Sequence, residues 1–227
     1  WINKFPSIAP GFGEGQAAPS SEVGLGVRGG YPFGEGKKLK YALFVGNGPE
    51  LEVEDGEIHG VESDGYTRDV DRRKVVGGRI GFIPMPRLEL GVSAAGGGIG
   101  LSAEPDRSYR VLGTDVGYQW KRLDLRAEYI SQRVGDLAAS AAPQGGTWKA
   151  WYGQASYKLL PTKWEGVVRY GKYISPRTDQ RQEQWALGVN YLWGPNVMAK
   201  LGYEFNQGLA GEDTDANRWL LQFAYGF

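Results

Sequence analysis

Cysteine is absent from the 227 residues, so neither a disulfide framework nor a thiolate metal site is open to this chain. Net charge is absent as well: 26 basic residues balance 26 acidic ones, which removes the cationic surplus that binding to nucleic acid needs. The single histidine, His59, is too little for the usual multi-histidine zinc site. Long apolar runs are missing too. Gly, Arg, Asp or Glu interrupts each one well short of the roughly 20 residues of a membrane helix, which excludes a helical membrane protein. A membrane barrel stays open, because its strands need only about 9 to 11 residues and show lipid only alternate side chains. The chain starts at Trp1 with no visible signal peptide, as expected of a processed product or a fragment.

Glycine is abundant at 36 residues and aromatics reach 13%. The glycines follow no triplet period, so collagen does not fit, and the combination points to tightly turning strands. Period-2 alternation, the mark of a strand with one apolar face, recurs in eleven segments. KVVGGRIGFIP sets Val76, Ile80 and Phe82 against Arg79; RLDLRAEYI sets Leu123, Leu125, Ala127 and Tyr129 against Asp124, Arg126 and Glu128. The last segment, NRWLLQFAYGF, sets Trp219, Leu221, Phe223 and Tyr225 against Arg218 and Gln222. Connections alternate between short (YPFGEGKK, PMP, Lys121, PTK, GPN) and long (47–73, 96–109, 132–147, 174–183, 206–216). An up-and-down meander then collects the short turns at one end and the long loops at the other, as an outer-membrane barrel does.

The fold class expected is all-β: a transmembrane antiparallel up-and-down β-barrel with about eleven strands over residues 21–227, preceded by an extracellular loop over 1–20. Eleven is odd and bacterial single-chain barrels close on an even number, so the chain reads as the C-terminal part of a longer barrel or as one closed by a partner. An Arg or Lys facing lipid at mid-membrane costs roughly 2 to 4 kcal/mol, which turns the charged parity inward. The pore-lining residues expected are Arg28, Lys40, Arg79, Glu89, Asp115, Asp124, Arg126, Glu128, Lys158, Arg169, Lys200, Glu204 and Arg218. Trp120, Trp164 and Trp193 fall beside short turns, and Tyr129, Trp148, Trp151 and Tyr173 beside long loops, as two interfacial girdles would. Lys172 and Arg110 lie on the lipid parity, but at loop ends where a charge snorkels to water.

The segments WINKFP, YALFVGNGP, GGRIGFIPMPRLELGVS, GTDVGYQWKRLDLRAEY, WYGQASYKLLP, VVRYGKY, ALGVNYLW and QFAYGF together resemble the phosphate-selective porin family of the O and P type in Gram-negative bacteria. The resemblance spans nearly the whole chain and rests on strand ends and turns. It implies an outer-membrane porin of about sixteen strands, usually trimeric, with its constriction loop and basic solute-binding residues mostly in an N-terminal half that this sequence does not contain. Phosphate specificity is therefore not carried over. The terminal Phe227 resembles the signal read by the barrel-assembly machinery, and outer-membrane lipid and lipopolysaccharide are the surroundings implied.

Other motifs have plainer explanations. GLGVRG, Gly24–Gly29, matches a dinucleotide fingerprint by letter, but it lies inside a strand and opens no helix, so it reads as small residues where a wall bends. The loop 47–73 is dense in carboxylates and reads as a solvated acidic loop; Ca²⁺ or lipopolysaccharide bridging is the alternative. No nucleophile or orienting pair accompanies His59, so no enzyme, metal or cofactor is expected. The interleaved inward charges fit a water-filled pore for small hydrophilic solutes, with a slight basic excess favouring anions. The alternative is a structural subunit whose lumen is filled or whose wall is closed by a partner.

Overall fold

The computed structural model describes residues 4, 6–12, 17, 24–62, 73–101, 104–194, 196–208 and 216–225. Eleven strands form one sheet: β1 (Gly24–Phe33), β2 (Lys37–Asn47), β5 (Lys74–Met85), β6 (Leu88–Ile99), β7 (Arg107–Trp120), β8 (Leu123–Val134), β9 (Gly146–Leu159), β10 (Trp164–Ile174), β11 (Gln182–Leu192), β12 (Val197–Gly208) and β13 (Arg218–Tyr225). Each pairs antiparallel with its neighbour in sequence, in the order β1-β2-β5-β6-β7-β8-β9-β10-β11-β12-β13. The expected meander is present. β1 and β13 are its two edges, and among the described residues they do not pair with each other.

The register separates two faces. Leu125, Ala155, Val168, Leu187, Tyr203 and Trp219 stand opposite one another in a row across β8 to β13 on the outward face. One residue along, Arg126, Gln154, Arg169, Ala186, Glu204 and Arg218 make the matching inward row. Exposure confirms the split, with Leu187 50% and Trp219 70% exposed against 2% for Arg169 and 0% for Glu204. An apolar, solvent-accessible outside around a polar inside is the inverse of a soluble protein. On the outside, Trp120, Trp164 and Trp193 are exposed at the short-turn end, and Tyr129 pairs in register with Trp151 toward the long loops. Lys172 does more than reach water, since it pairs with Glu183 directly across the sheet.

Trp148 and Tyr173 do not join the outer girdle. They share the parity of Gln154 and Arg169 and are buried inside, at 0% and 2% exposure. They belong to an apolar cluster with Val75, Ile99, Tyr109, Val134 and Ala150, all on the inner face at the long-loop ends.

A second correction concerns the acidic loop. Residues 50–62 fold into a hairpin, β3 (Glu50–Glu54) and β4 (Glu57–Glu62), turning at Asp55 and Gly56 with φ of 52° and 77°. Two positive φ values are what a two-residue hairpin turn matching strand twist requires, and Asp-Gly supplies them most cheaply. Leu51, Ile58 and Val61 of the hairpin are buried in the inner apolar cluster, leaving the carboxylates Glu52, Glu54 and Glu57 exposed. The loop is thus only partly solvated: its acidic face meets water and its apolar face packs onto the mouth of the wall. Asp64, Asp69 and Asp71 lie outside the described residues.

Candidate pore wall

The inner face carries its charges in three groups. In the first, Arg79 of β5 bonds Asp115 of β7 through Nε and Nη2, at 2.8 and 2.5 Å, and Glu89 of β6 at 3.1 Å. Lys40 of β2 closes on the other oxygen of Glu89 at 2.7 Å. Arg28 is exposed on β1 and lines a hollow with Lys38, Lys40 and Arg79. The second group is carried by β8, where Asp124 holds Arg126 at 3.0 Å and Glu128 accepts from the Tyr152 hydroxyl at 3.2 Å. Both groups line one cavity of about 620 Å³, together with Arg87 and Gln119. The six ion-paired side chains along it are about one-sixth to two-fifths exposed, so they are not sealed in a core.

The third group is covered. On β10 to β13, Arg169 bonds Gln184 at 2.9 Å and Glu204 at 3.4 Å, Arg218 bonds the other Glu204 oxygen at 2.5 Å, and Lys200 donates to Gln222 at 2.8 Å. Residues from the start of the chain lie over them. Lys4 Nζ is 2.9 Å from Glu165, Asn190 donates to the Lys4 carbonyl, the Ser7 carbonyl accepts from Arg169, and the Ser7 hydroxyl bonds Glu204. Further along, Phe12 packs edge-on against Tyr152 at 5.1 Å. Every partner is on the inner parity, so the described members of residues 1–20 run inside the wall from its short-turn end toward the hairpin. Buried charge persists only when paired and hydrogen-bonded, which this segment accomplishes for Glu165 and Arg169.

Of the thirteen expected pore-lining residues, the structure brings Lys40, Arg79, Glu89 and Asp115 into one linked chain and places Asp124, Arg126 and Glu128 beside it. It assembles Arg169, Glu204 and Arg218 under the leading segment with Lys200 nearby, and leaves Arg28 and Lys158 exposed. Glu165, Gln184, Asn190 and Tyr152 had no sequence signal beyond their inward parity. His59 Nε2 sits 3.4 Å from Glu54 at the hairpin. Among the described residues no group of three or more His, Cys, Asp or Glu is placed to hold a metal. Phe227, the expected assembly signal, lies outside the described residues.

The fold, one antiparallel meander with an apolar face carrying aromatic ends and a charged reverse face, is similar to that of solved Gram-negative outer-membrane porins. No family model and no curated protein matches the sequence. Among the solved structures that match the fold are OmpF of Salmonella typhi in complex with daunomycin, at TM-score 0.54 and 9% identity over 84% of this chain and 61% of that one, and the anion-selective porin of Comamonas acidovorans, at TM-score 0.54 and 14% identity over 88% of this chain and 57% of that one. The chain therefore spans about three fifths of the length of these two porins.

Proposed function

We propose that this chain forms most of the wall of a water-filled outer-membrane pore through which small hydrophilic solutes diffuse, with anions weakly favoured. The observation that carries it is the 620 Å³ cavity lined by the Arg79 and Arg126 groups on a face whose reverse is apolar. Crossed charges of both signs hydrate a lumen without trapping either ion. The anion preference rests on Arg28 and Lys158, exposed inward cations that add to the paired ones. The complete barrel has about sixteen strands, of which these eleven are the C-terminal set, and it assembles as a trimer in the outer membrane; the missing wall joins the edges β1 and β13. Membership in the O and P type family, insertion through Phe227, and an extracellular position for the long loops are part of the same proposal.

A second function has its own support. The hairpin and the leading segment occupy part of the interior, which suits a scaffold barrel with a filled lumen. Planar-bilayer recording on the complete protein separates the two: stepwise conductance with an anion-biased reversal potential is expected, and membrane insertion without conductance would overturn the pore in favour of the scaffold.

A further inference from the structure

Arg110 of β7 and Arg133 of β8 stand directly opposite each other in the antiparallel register, both on the outward face. Like charges in that position repel and destabilise a sheet unless something else compensates them. Lys149 of β9 is one register step away, opposite Ser131 on the same face. All three cations are exposed, and among the described residues none has a hydrogen-bond or ion-pair partner. The carboxylate of Asp106, at the start of β7, is held by Arg73 at 2.6 Å. On the other side of Arg110 stands Gly96 of β6, which carries no side chain to pair with it.

Height decides what compensates them. Tyr129 and Trp151 are paired in the outward row toward the long loops, the level at which aromatic rings meet the polar boundary of a bilayer. Arg133 is four residues further along β8 than Tyr129, roughly 13 Å at about 3.3 Å per residue, and Lys149 is two residues beyond Trp151. The cations therefore stand just above the girdle, at headgroup height, facing lipid rather than lumen. Arginine forks match phosphate oxygens bidentately, and paired forks with a nearby ammonium suit a headgroup with more than one phosphate. We infer that Arg110, Arg133 and Lys149 form a binding site for the phosphorylated headgroup of a lipid on the long-loop side of the membrane, with the Ser131 and Thr147 hydroxyls within the same patch. This rests on the membrane-barrel proposal and deepens it.

The test titrates the full chain in detergent with a bisphosphorylated glycolipid and counts bound lipid by native mass spectrometry. Replacing both arginines (R110A with R133A) should weaken binding about 25-fold and Lys149→Ala about fivefold, at roughly fivefold per cation. Lys121→Ala, at the opposite end of the wall, should keep the wild-type affinity, and the dephosphorylated lipid should bind wild type as weakly as the double variant. A heat-shift gel reports that each variant keeps its barrel. Equal lipid affinity in wild type and double variant would overturn the site. So would displacement of the lipid by inorganic phosphate at equal concentration, which would make it a site for the free anion. Bilayer recording in parallel keeps the proposals apart: arginine-dependent lipid binding by a protein that does not conduct sustains this site and defeats only the pore.

Discussion

Arg79 reaches over Gly91 to grip Asp115 two strands away. Its Nη2 lies 2.4 Å, and the Asp115 Oδ1 2.2 Å, from where a Cβ on Gly91 would be. The bridge exists because the middle strand has no side chain there. Both partners are about one third exposed, so the pair contributes only on the scale of a surface salt bridge, about 0 to 1 kcal/mol. Its larger consequence is electrostatic, since it fixes where the charges stand in the cavity.

Gly91→Val should part Arg79 from Asp115 and change ion selectivity far more than stability. Reversal potentials in a salt gradient and thermal unfolding read the two effects. A large loss of stability with unchanged selectivity would contradict the account. Asp115→Asn keeps the shape but frees positive potential, and should move selectivity toward anions.

Arg169 behaves differently because it is 2% exposed and bonded to Glu204 at 0%. Arg169→Met leaves Glu204 and Gln184 short of a donor and removes the hold on the Ser7 carbonyl. Breaking a buried pair from one side costs about 3 to 5 kcal/mol. The denaturant midpoint should fall accordingly, and protease should cut the leading segment first. A variant as stable and as protease-resistant as wild type would show that the segment is not held by this cluster.

The meander and its inward parity were legible in the sequence because both follow from alternation, a local property. Leu125 and Arg126 declare their faces by being neighbours. For Trp148 and Tyr173 nearness to a loop and parity point opposite ways, and parity decides: Trp148 shares the even numbering of Gln154 and is buried inside. The hairpin does have a local signal, since Asp55-Gly56 between LEVE and EIHGVE is a strong short-range turn sequence, but the density of carboxylates around it masks the alternation. The contacts of Lys4 with Glu165 and of Ser7 with Arg169 join residues more than 160 positions apart. No local pattern encodes such a pairing.

The hairpin is held by Leu51, Ile58 and Val61 against the inner face. Val61 is 0% exposed, and Val61→Asp would bury a charge with no partner, a cost no small element can bear. Hydrogen exchange should then accelerate across residues 50–62 while β5 and β6 stay protected, and conductance should rise as the mouth clears. Slow exchange in the hairpin of the variant would mean that its own backbone ladder suffices to hold it.

Glu104, in the loop between β6 and β7, ties that loop to the one following β8. Its carboxylate is held below the usual range by hydrogen bonding from Ser140 and from the Ala141 amide, the latter at 2.8 Å. A carboxyl whose folded value is depressed stabilises the fold above its ordinary value and loses that contribution as pH falls through the folded one. The tie is therefore intact at neutral pH and released only in acid, below the ordinary carboxylate range. The Ala141 amide chemical shift should titrate there in wild type and stay flat in Glu104→Gln. Because Arg107 anchors the same loop through the Ala142 carbonyl at 3.0 Å, acid should loosen residues 140–142 without unfolding β7 or β8. An Ala141 resonance that titrates alike in both proteins would assign the acid response to another group.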